Sequence, residues 1–285
     1  MQQIERGIYY ETIYPGVTLG ALIFTHGTIQ IDAPLKAEDA RSWRSILLNL
    51  GSTSNRLLVN MDSHPDRTLG ARALDCPIIA HQRTAQVFRN RPSIFKGQNS
   101  DSGAEWESSN DMVGTRWALP DLIFTDHLTF NWGDREVTLE YHPGPTSGSI
   151  WAIIPGAKVI FVGDTIMQDQ PPFLASADLP SWIASLDILQ TNYRDYLIIS
   201  GRGGPVSIEV GRTQQRLLKE ILKGIERLAK KGAASEMTEA LIDGLSANVT
   251  LPTEKREQYL QRLRHGLYQY YNRRYRALDS SPDQD

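Results

Sequence analysis

A single cysteine, Cys76, stands among the 285 residues, which leaves neither an intrachain disulfide nor a thiolate zinc cluster open to the chain. No apolar run reaches the roughly 18 residues that a membrane-crossing helix needs, and residues 1–6 lack the apolar core of a signal peptide. The net charge of -3 shows no basic excess of the kind that nucleic acid attracts. A cytoplasmic protein with no nucleic-acid or membrane partner is therefore expected. Also missing are a P-loop, a Gly-x-Gly-x-x-Gly dinucleotide fingerprint and any Ser-His-Asp arrangement. What the chain has is 40% hydrophobic content, enough to bury a sizeable core.

Short β-rich runs alternate with helical patterns, which predicts a layered α/β fold. Strands are expected at 17–24, 28–32, 57–60, 77–80, 128–132, 137–141, 150–154, 159–162 and 196–199, and helices at 37–50, 84–88 and 180–189. Trp132-Gly133-Asp134 and Pro155-Gly156-Ala157 signal hairpin turns. The polar stretch 90–120, with Phe95, Trp106 and Trp117 interspersed, is longer than an ordinary connection. It is either a surface insertion or a lid that brings an aromatic residue to a substrate. From Ser207 onward the pattern is helical, at 209–231, 235–245 and 253–278. Tyr259, Leu260, Leu263, Leu267, Tyr270, Tyr271 and Tyr275 form a stripe that predicts packing against the main domain or against a second copy, as a homo-oligomer. Residues 280–285 read as a frayed tail.

The chemistry is densest at 58–70. The apolar run from Leu57 to Val59 reads as a buried strand that delivers Asp62, His64 and Asp66 at alternate positions before a short helix at 68–74. Elsewhere, Ile29-Gln30-Ile31-Asp32-Ala33-Pro34 is a strand ending in aspartate, and Tyr141-His142-Pro143-Gly144-Pro145-Thr146-Ser147-Gly148-Ser149 is a turn-rich segment. Gly163-Asp164-Thr165 follows an apolar strand, and Ile199-Ser200-Gly201-Arg202-Gly203-Gly204-Pro205 closes the series.

In this order the segments resemble the landmarks of the metallo-β-lactamase superfamily. The loop 62–67 is similar to His-x-His-x-Asp-His, with Asp62 at the first histidine position and Arg67 at the last. Pro145 stands for the histidine of Pro-Gly-His, Asp164 matches the bridging aspartate, and Arg202 replaces the histidine of Gly-His-Gly. The resemblance implies a metallo-β-lactamase-like αββα sandwich over 1–206, followed by a C-terminal helical extension over 207–285. It also implies that one metal would fall to Asp62, His64 and Pro145, and the other to Asp66, Arg67 and Arg202, with Asp164 between them.

Proline has no side-chain donor, and arginine stays protonated and cannot ligate a cation, so a normal dinuclear zinc site is not expected. Two readings remain open. In the first, one divalent cation (manganese, iron, magnesium or zinc) is held by Asp62, His64 and Asp164, helped by His142. It would activate water against an ester, thioester, lactone or phosphoester, with Asp62 or Asp66 as the catalytic proton acceptor. In the second, no metal is bound, and Arg67 and Arg202 neutralise Asp66 and Asp164 or bind an anion. The chain is then a non-catalytic ligand-binding or oligomeric scaffold. Both readings leave a small molecule as substrate or ligand. His81, at a strand end, is expected to cap the following helix, while His26, His127 and His265 read as structural.

Overall fold

The computed structural model describes residues 1–51, 55–94, 102–109, 112–133, 135–246, 249 and 251–276. An antiparallel meander opens the chain: β1 (Gln2–Glu5), β2 (Ile8–Glu11), β3 (Leu19–Ile23) and β4 (Thr28–Ile31). Helix α1 (Ala37–Asn49) then crosses to β5 (Arg56–Val59), and α2 (Gln82–Asn90) follows β6 (Ile78–His81). With β7 (Leu122–Phe124), strands β4 to β7 run parallel and complete a seven-stranded sheet in sequence order.

The second sheet has the order β13-β12-β11-β10-β9-β8. Its members are β8 (His127–Asn131), β9 (Glu136–Tyr141), β10 (Ile150–Ile154), β11 (Val159–Phe161), β12 (Leu197–Ser200) and β13 (Gly204–Val206). Only β11 and β12 pair in parallel, and α3 (Leu179–Asn192) makes their crossover. Three more α-helices follow: α4 (Ile208–Lys230), α5 (Ile242–Ser246) and α6 (Arg256–Tyr271).

Alternation along the strands sorts the side chains into layers. Ile29, Ile31, Val59 and Met61 of the first sheet meet Leu139, Ile150, Ala152 and Phe161 of the second in the central apolar layer. The first sheet's other face packs on α1, which buries Ala40, Trp43 and Leu47 at helical spacing. The second sheet's outer face, with Trp151, Ile153, Ile160 and Ile198, packs on α3, α4 and α6. Pro180 opens α3 and Asp178 caps it, accepting from the Ser181 amide at 3.2 Å. The tyrosine stripe of α6 is consumed inside the chain: Tyr259, Leu263, Leu267, Tyr270 and Tyr271 are all buried. This is the αββα sandwich with C-terminal helices. No helix among the described residues is long and apolar enough to cross a membrane.

Three expectations need correction. The helix at 68–74 is two 3-10 turns, Pro65–Arg67 and Ala71–Leu74, because the chain between them is pressed against the 33–36 loop. A Cβ on Gly70 would lie 2.2 Å from the Pro34 carbonyl oxygen. The helix at 235–245 starts as a 3-10 helix over Ser235–Leu241, and the last helix turns to π geometry at Asn272–Arg276. Strands β1, β2, β7 and β13 were not anticipated. Phe95, Asp134, the end of the last helix at 277–278 and the 280–285 tail lie outside the described residues.

Candidate functional site

The parallel pairs β4–β5 and β11–β12 send the landmark residues out of their C-terminal ends: Asp32, the loop 60–67, Asp164 and Arg202. Beyond the carboxyl ends of parallel strands is where α/β sheets place their sites. Asp32 takes a left-handed conformation with φ of 59°, which its short polar side chain tolerates by bonding locally. Its Oδ1 accepts from the Met61 amide at 2.9 Å and its Oδ2 from Arg67 Nη1 at 3.2 Å. Arg67 is fully buried, donates through Nη2 to Asp164 Oδ1, and holds Nε 3.6 Å from Asp62 Oδ1. Glycine at 201 makes this room, since a Cβ there would lie 2.5 Å from Arg67 Nη1.

Arg202 reaches Asp164 from another side, with Nε 3.1 and 3.3 Å from the two carboxylate oxygens. Its Nη1 donates to Asp66 Oδ2 and to Glu105 Oε2, each at 3.0 Å, and its Nη2 to His64 Nδ1 at 2.9 Å. Asp66 Oδ1 accepts from the Trp106 amide at 2.7 Å. Asp66 therefore pairs with Arg202, whereas Arg67 turns to Asp32 and Asp164. The 3-10 turn Pro65–Arg67 sends these sequence neighbours in different directions.

Two regions outside the landmarks join the cluster. Glu105 comes from the 90–120 stretch and Arg262 from α6, with Arg262 Nη2 3.4 Å from Glu105 Oε2. Lys255 Nζ stands 3.5 Å from Glu105 Oε1. Phe173 lies under both guanidiniums, 3.8 Å from Arg262 Cζ and 4.7 Å from Arg202 Cζ, in cation–π contact. Neither Glu105, Arg262 nor Phe173 sits in a motif, and the sequence signal nearest to them was the 90–120 stretch, read as a surface insertion or a lid. Its tryptophans do other work. Trp117 stacks on Phe88 and donates to Thr68 Oγ1 at 2.9 Å, and Trp106 lines a cavity of about 490 Å³ with Pro65, Ile94 and Trp117.

Burial pushes the Asp32 carboxyl up to about 7 although Arg67 opposes it, and burial with Glu105 alongside pushes Asp66 up to about 6 against Arg202. Asp62 is raised, chiefly by burial. For Asp164, burial is outweighed by Arg202 and Arg67, which hold it below the usual carboxylate range. Glu105 is likewise held down by Arg202, Arg262 and Lys255 against burial. Burial, then Arg202, drives His64 well below its ordinary value. It is therefore neutral, and its Nδ1 accepts the Arg202 hydrogen bond.

The family model described as metallo-beta-lactamase superfamily matches residues 64–202, from one end of this cluster to the other. The fold agrees. A metallo-beta-lactamase from Pontibacter korlensis is 19% identical, with a TM-score of 0.58 over 76% of this chain and 97% of that one. The DIM-1 metallo-beta-lactamase is 17% identical, with a TM-score of 0.59 over 76% and 95%. Residues 64–202 carry the metallo-β-lactamase superfamily match, and the chain has the fold of that superfamily. The inverting sec-alkylsulfatase Pisa1 from Pseudomonas sp. superposes on 99% of this chain with a TM-score of 0.69 and 16% identity. The match covers 52% of the alkylsulfatase. A search of curated protein sequences returned no match.

The superfamily match implies divalent metals, and the donor set here does not fit them. Both oxygens of Asp32, Asp66 and Asp164 are taken by guanidinium or backbone donors, and His64 Nδ1 faces Arg202. Of the cluster's four aspartates, Asp62 included, only Asp62 keeps an oxygen, Oδ2, that is buried with no hydrogen-bond partner among the described residues. Among the described residues no three His, Cys, Asp or Glu side chains converge as metal ligands. His142, expected as a helper ligand, is engaged elsewhere: its Nε2 lies 3.1 Å from Glu140 Oε2 and its ring stacks on Trp151 at 3.6 Å. Pro145 is buried in the β9–β10 loop and offers no donor. His81 caps α2 by accepting from the Arg83 amide at 3.2 Å, while its Nε2 donates to the Thr125 carbonyl at 2.7 Å.

Proposed function

We propose that this chain is a non-hydrolytic, ligand-binding member of the superfamily in which the guanidinium groups of Arg67 and Arg202 take the place of the metal ions. One observation carries this reading: the carboxylate of Asp164, at the landmark of the bridging ligand, receives both arginines at once. A guanidinium brings positive charge and fixed donors to the carboxylates, but it has no open coordination position and cannot lower the pKa of a water as a metal does. The arrangement therefore keeps the charge balance of a metal centre without its hydrolytic chemistry.

Hydrolysis of an ester, thioester, lactone or phosphoester with one cation on Asp62, His64 and Asp164 is the competing reading. It draws support from the relatives, a metallo-beta-lactamase and an alkylsulfatase among them, and from the unpartnered Asp62 Oδ2. Both arginines would have to vacate a buried pocket for it. Elemental analysis of protein purified without chelator separates the two. The expected result is no stoichiometric manganese, iron, magnesium or zinc. One equivalent per chain, lost in His64→Ala and in Asp164→Ala, would restore the hydrolase.

A further inference from the structure

Glu105 lies in a 3-10 turn, Glu105–Ser108, outside the sandwich, yet its carboxylate is held by cations from three other segments. Arg202 follows β12, Arg262 belongs to α6, and Lys255 precedes α6. Arg202 is shared with Asp66 and Asp164. Arg262 and Lys255 make no ion pair with another carboxylate among the described residues. Arg262 is also 1% exposed, a charge costly to bury, and it is held by the Gly103 carbonyl and Gln170 Oε1 with Glu105 as its carboxylate.

Beside this carboxylate opens a polar cavity of about 220 Å³, whose walls include Arg202, Lys255, Tyr259, Gln170 and Gly203. The loop that carries Glu105 is anchored independently of its side chain. The Gly103 carbonyl accepts from Gln258 Nε2 at 3.1 Å and from Arg262 Nε and Nη2 at 3.2 and 2.8 Å. The side chain can therefore rotate away while the backbone stays attached to α6.

We propose that this mouth is a binding site for a small carboxylate, and that Glu105 is its internal occupant. The ligand's carboxylate takes the Glu105 position between Arg202, Arg262 and Lys255, and the rest of the molecule fills the adjoining cavity. The position already holds a carboxylate, which takes Arg202 Nη1 at 3.0 Å and Arg262 Nη2 at 3.4 Å on one oxygen, and a ligand carboxylate would reproduce that planar two-oxygen shape where a tetrahedral anion would not. The cavity falls short of the roughly 300 Å³ at which drug-sized pockets begin, which limits the ligand to a few heavy atoms beyond its carboxylate. The inference rests on the reading that guanidinium groups, not metals, hold the site.

Calorimetric titration with butyrate and with sulfate, at matched ionic strength, tests it on the full chain. Glu105→Ala is expected to bind butyrate at least about tenfold more tightly than wild type, and to prefer it to sulfate. Lys255→Met in that background is expected to weaken the binding. Absence of saturable butyrate binding to folded Glu105→Ala overturns the proposal, as does indifference to Lys255→Met or equal affinity for sulfate. If Glu105→Ala fails to fold by circular dichroism, Glu105→Gln takes its place, and no gain over wild type is then the overturning result. Metal content is measured on the same samples. Butyrate binding that needs a metal and vanishes with chelator would sink the metal-free reading, whereas metal-free protein that binds no carboxylate sinks this inference alone.

Discussion

Arg67 and Arg202 occupy two positions at which the superfamily resemblance implies histidines of one metal, yet their surroundings differ. Arg67 is sealed at 0% exposure, and its partners Asp32, Asp62 and Asp164 all come from strand ends that the sandwich builds in any case. Arg202 shares Asp164 but spends its remaining donors on Asp66, His64 and Glu105, at the wall of a cavity. The first guanidinium is closed off among buried carboxylates. The second is a junction where the sandwich, the 90–120 stretch and α6 meet. Losing a partner from a sealed pair leaves a charge that water cannot reach, whereas near a cavity water and neighbouring cations can compensate.

The largest expected effect follows from the sealed side. Arg67→Met should cost about 3 to 5 kcal/mol in urea unfolding, because Asp32 loses its only guanidinium and Asp164 one of two. Asp164→Asn should restore part of that loss in the double variant, and Asp66→Asn should restore none, since Asp66 pairs with Arg202. Equal rescue by both would erase the distinction between the two arginines. Arg202→Met should cost less, about 2 to 3 kcal/mol. Asp164 keeps Arg67, and Glu105 keeps Arg262 and Lys255, so Asp66 alone loses its guanidinium. Measured losses in the reverse order would mean that the mouth, not the sealed pocket, is the structural centre.

The smallest effect is a pH dependence. Asp32, pushed up to about 7, and Asp66, pushed up to about 6, keep their protons in the folded chain. The unfolded chain has already released its own at such pH, with aspartates near about 3.9. Folding thus binds protons, and stability falls as pH rises from about 4 to the folded values of about 6 and 7, by about 1.4 kcal/mol per unit for each carboxyl that stays protonated. Asp164 has the opposite sign. Its contribution is full above the unfolded value and is lost as pH drops below about 4. The melting temperature should therefore peak near about pH 4 and fall toward about pH 7, with the alkaline flank flattened in Asp32→Asn. A melting temperature that climbs from pH 5 to pH 8 would remove the protonated Asp32 from the account.

Strands with an apolar alternation were legible one by one, and Ile150–Ile154 is observed at the predicted bounds. Strands β1 and β7 were not, because each is a sheet-edge strand of three or four residues with mostly exposed side chains. Such edges lack the buried face that makes a strand visible in sequence. Asp32 was legible as a landmark but not as an ion-pair partner, since its left-handed backbone turns it toward Arg67 only after β4 and β5 pair.

The sequence alone determined the sandwich and the residue types at the landmark positions. Motif order and the period of the apolar residues specify layered strands and helices, and a protonated guanidinium or a proline ring cannot ligate a cation in any fold. Which carboxylate each arginine meets was decided by the tertiary structure. Glu105 and Arg202 are 97 residues apart, and Gly103 and Arg262 are 159 apart. Contacts at that range depend on how packed layers bring distant loops together, and no local pattern of residues records them.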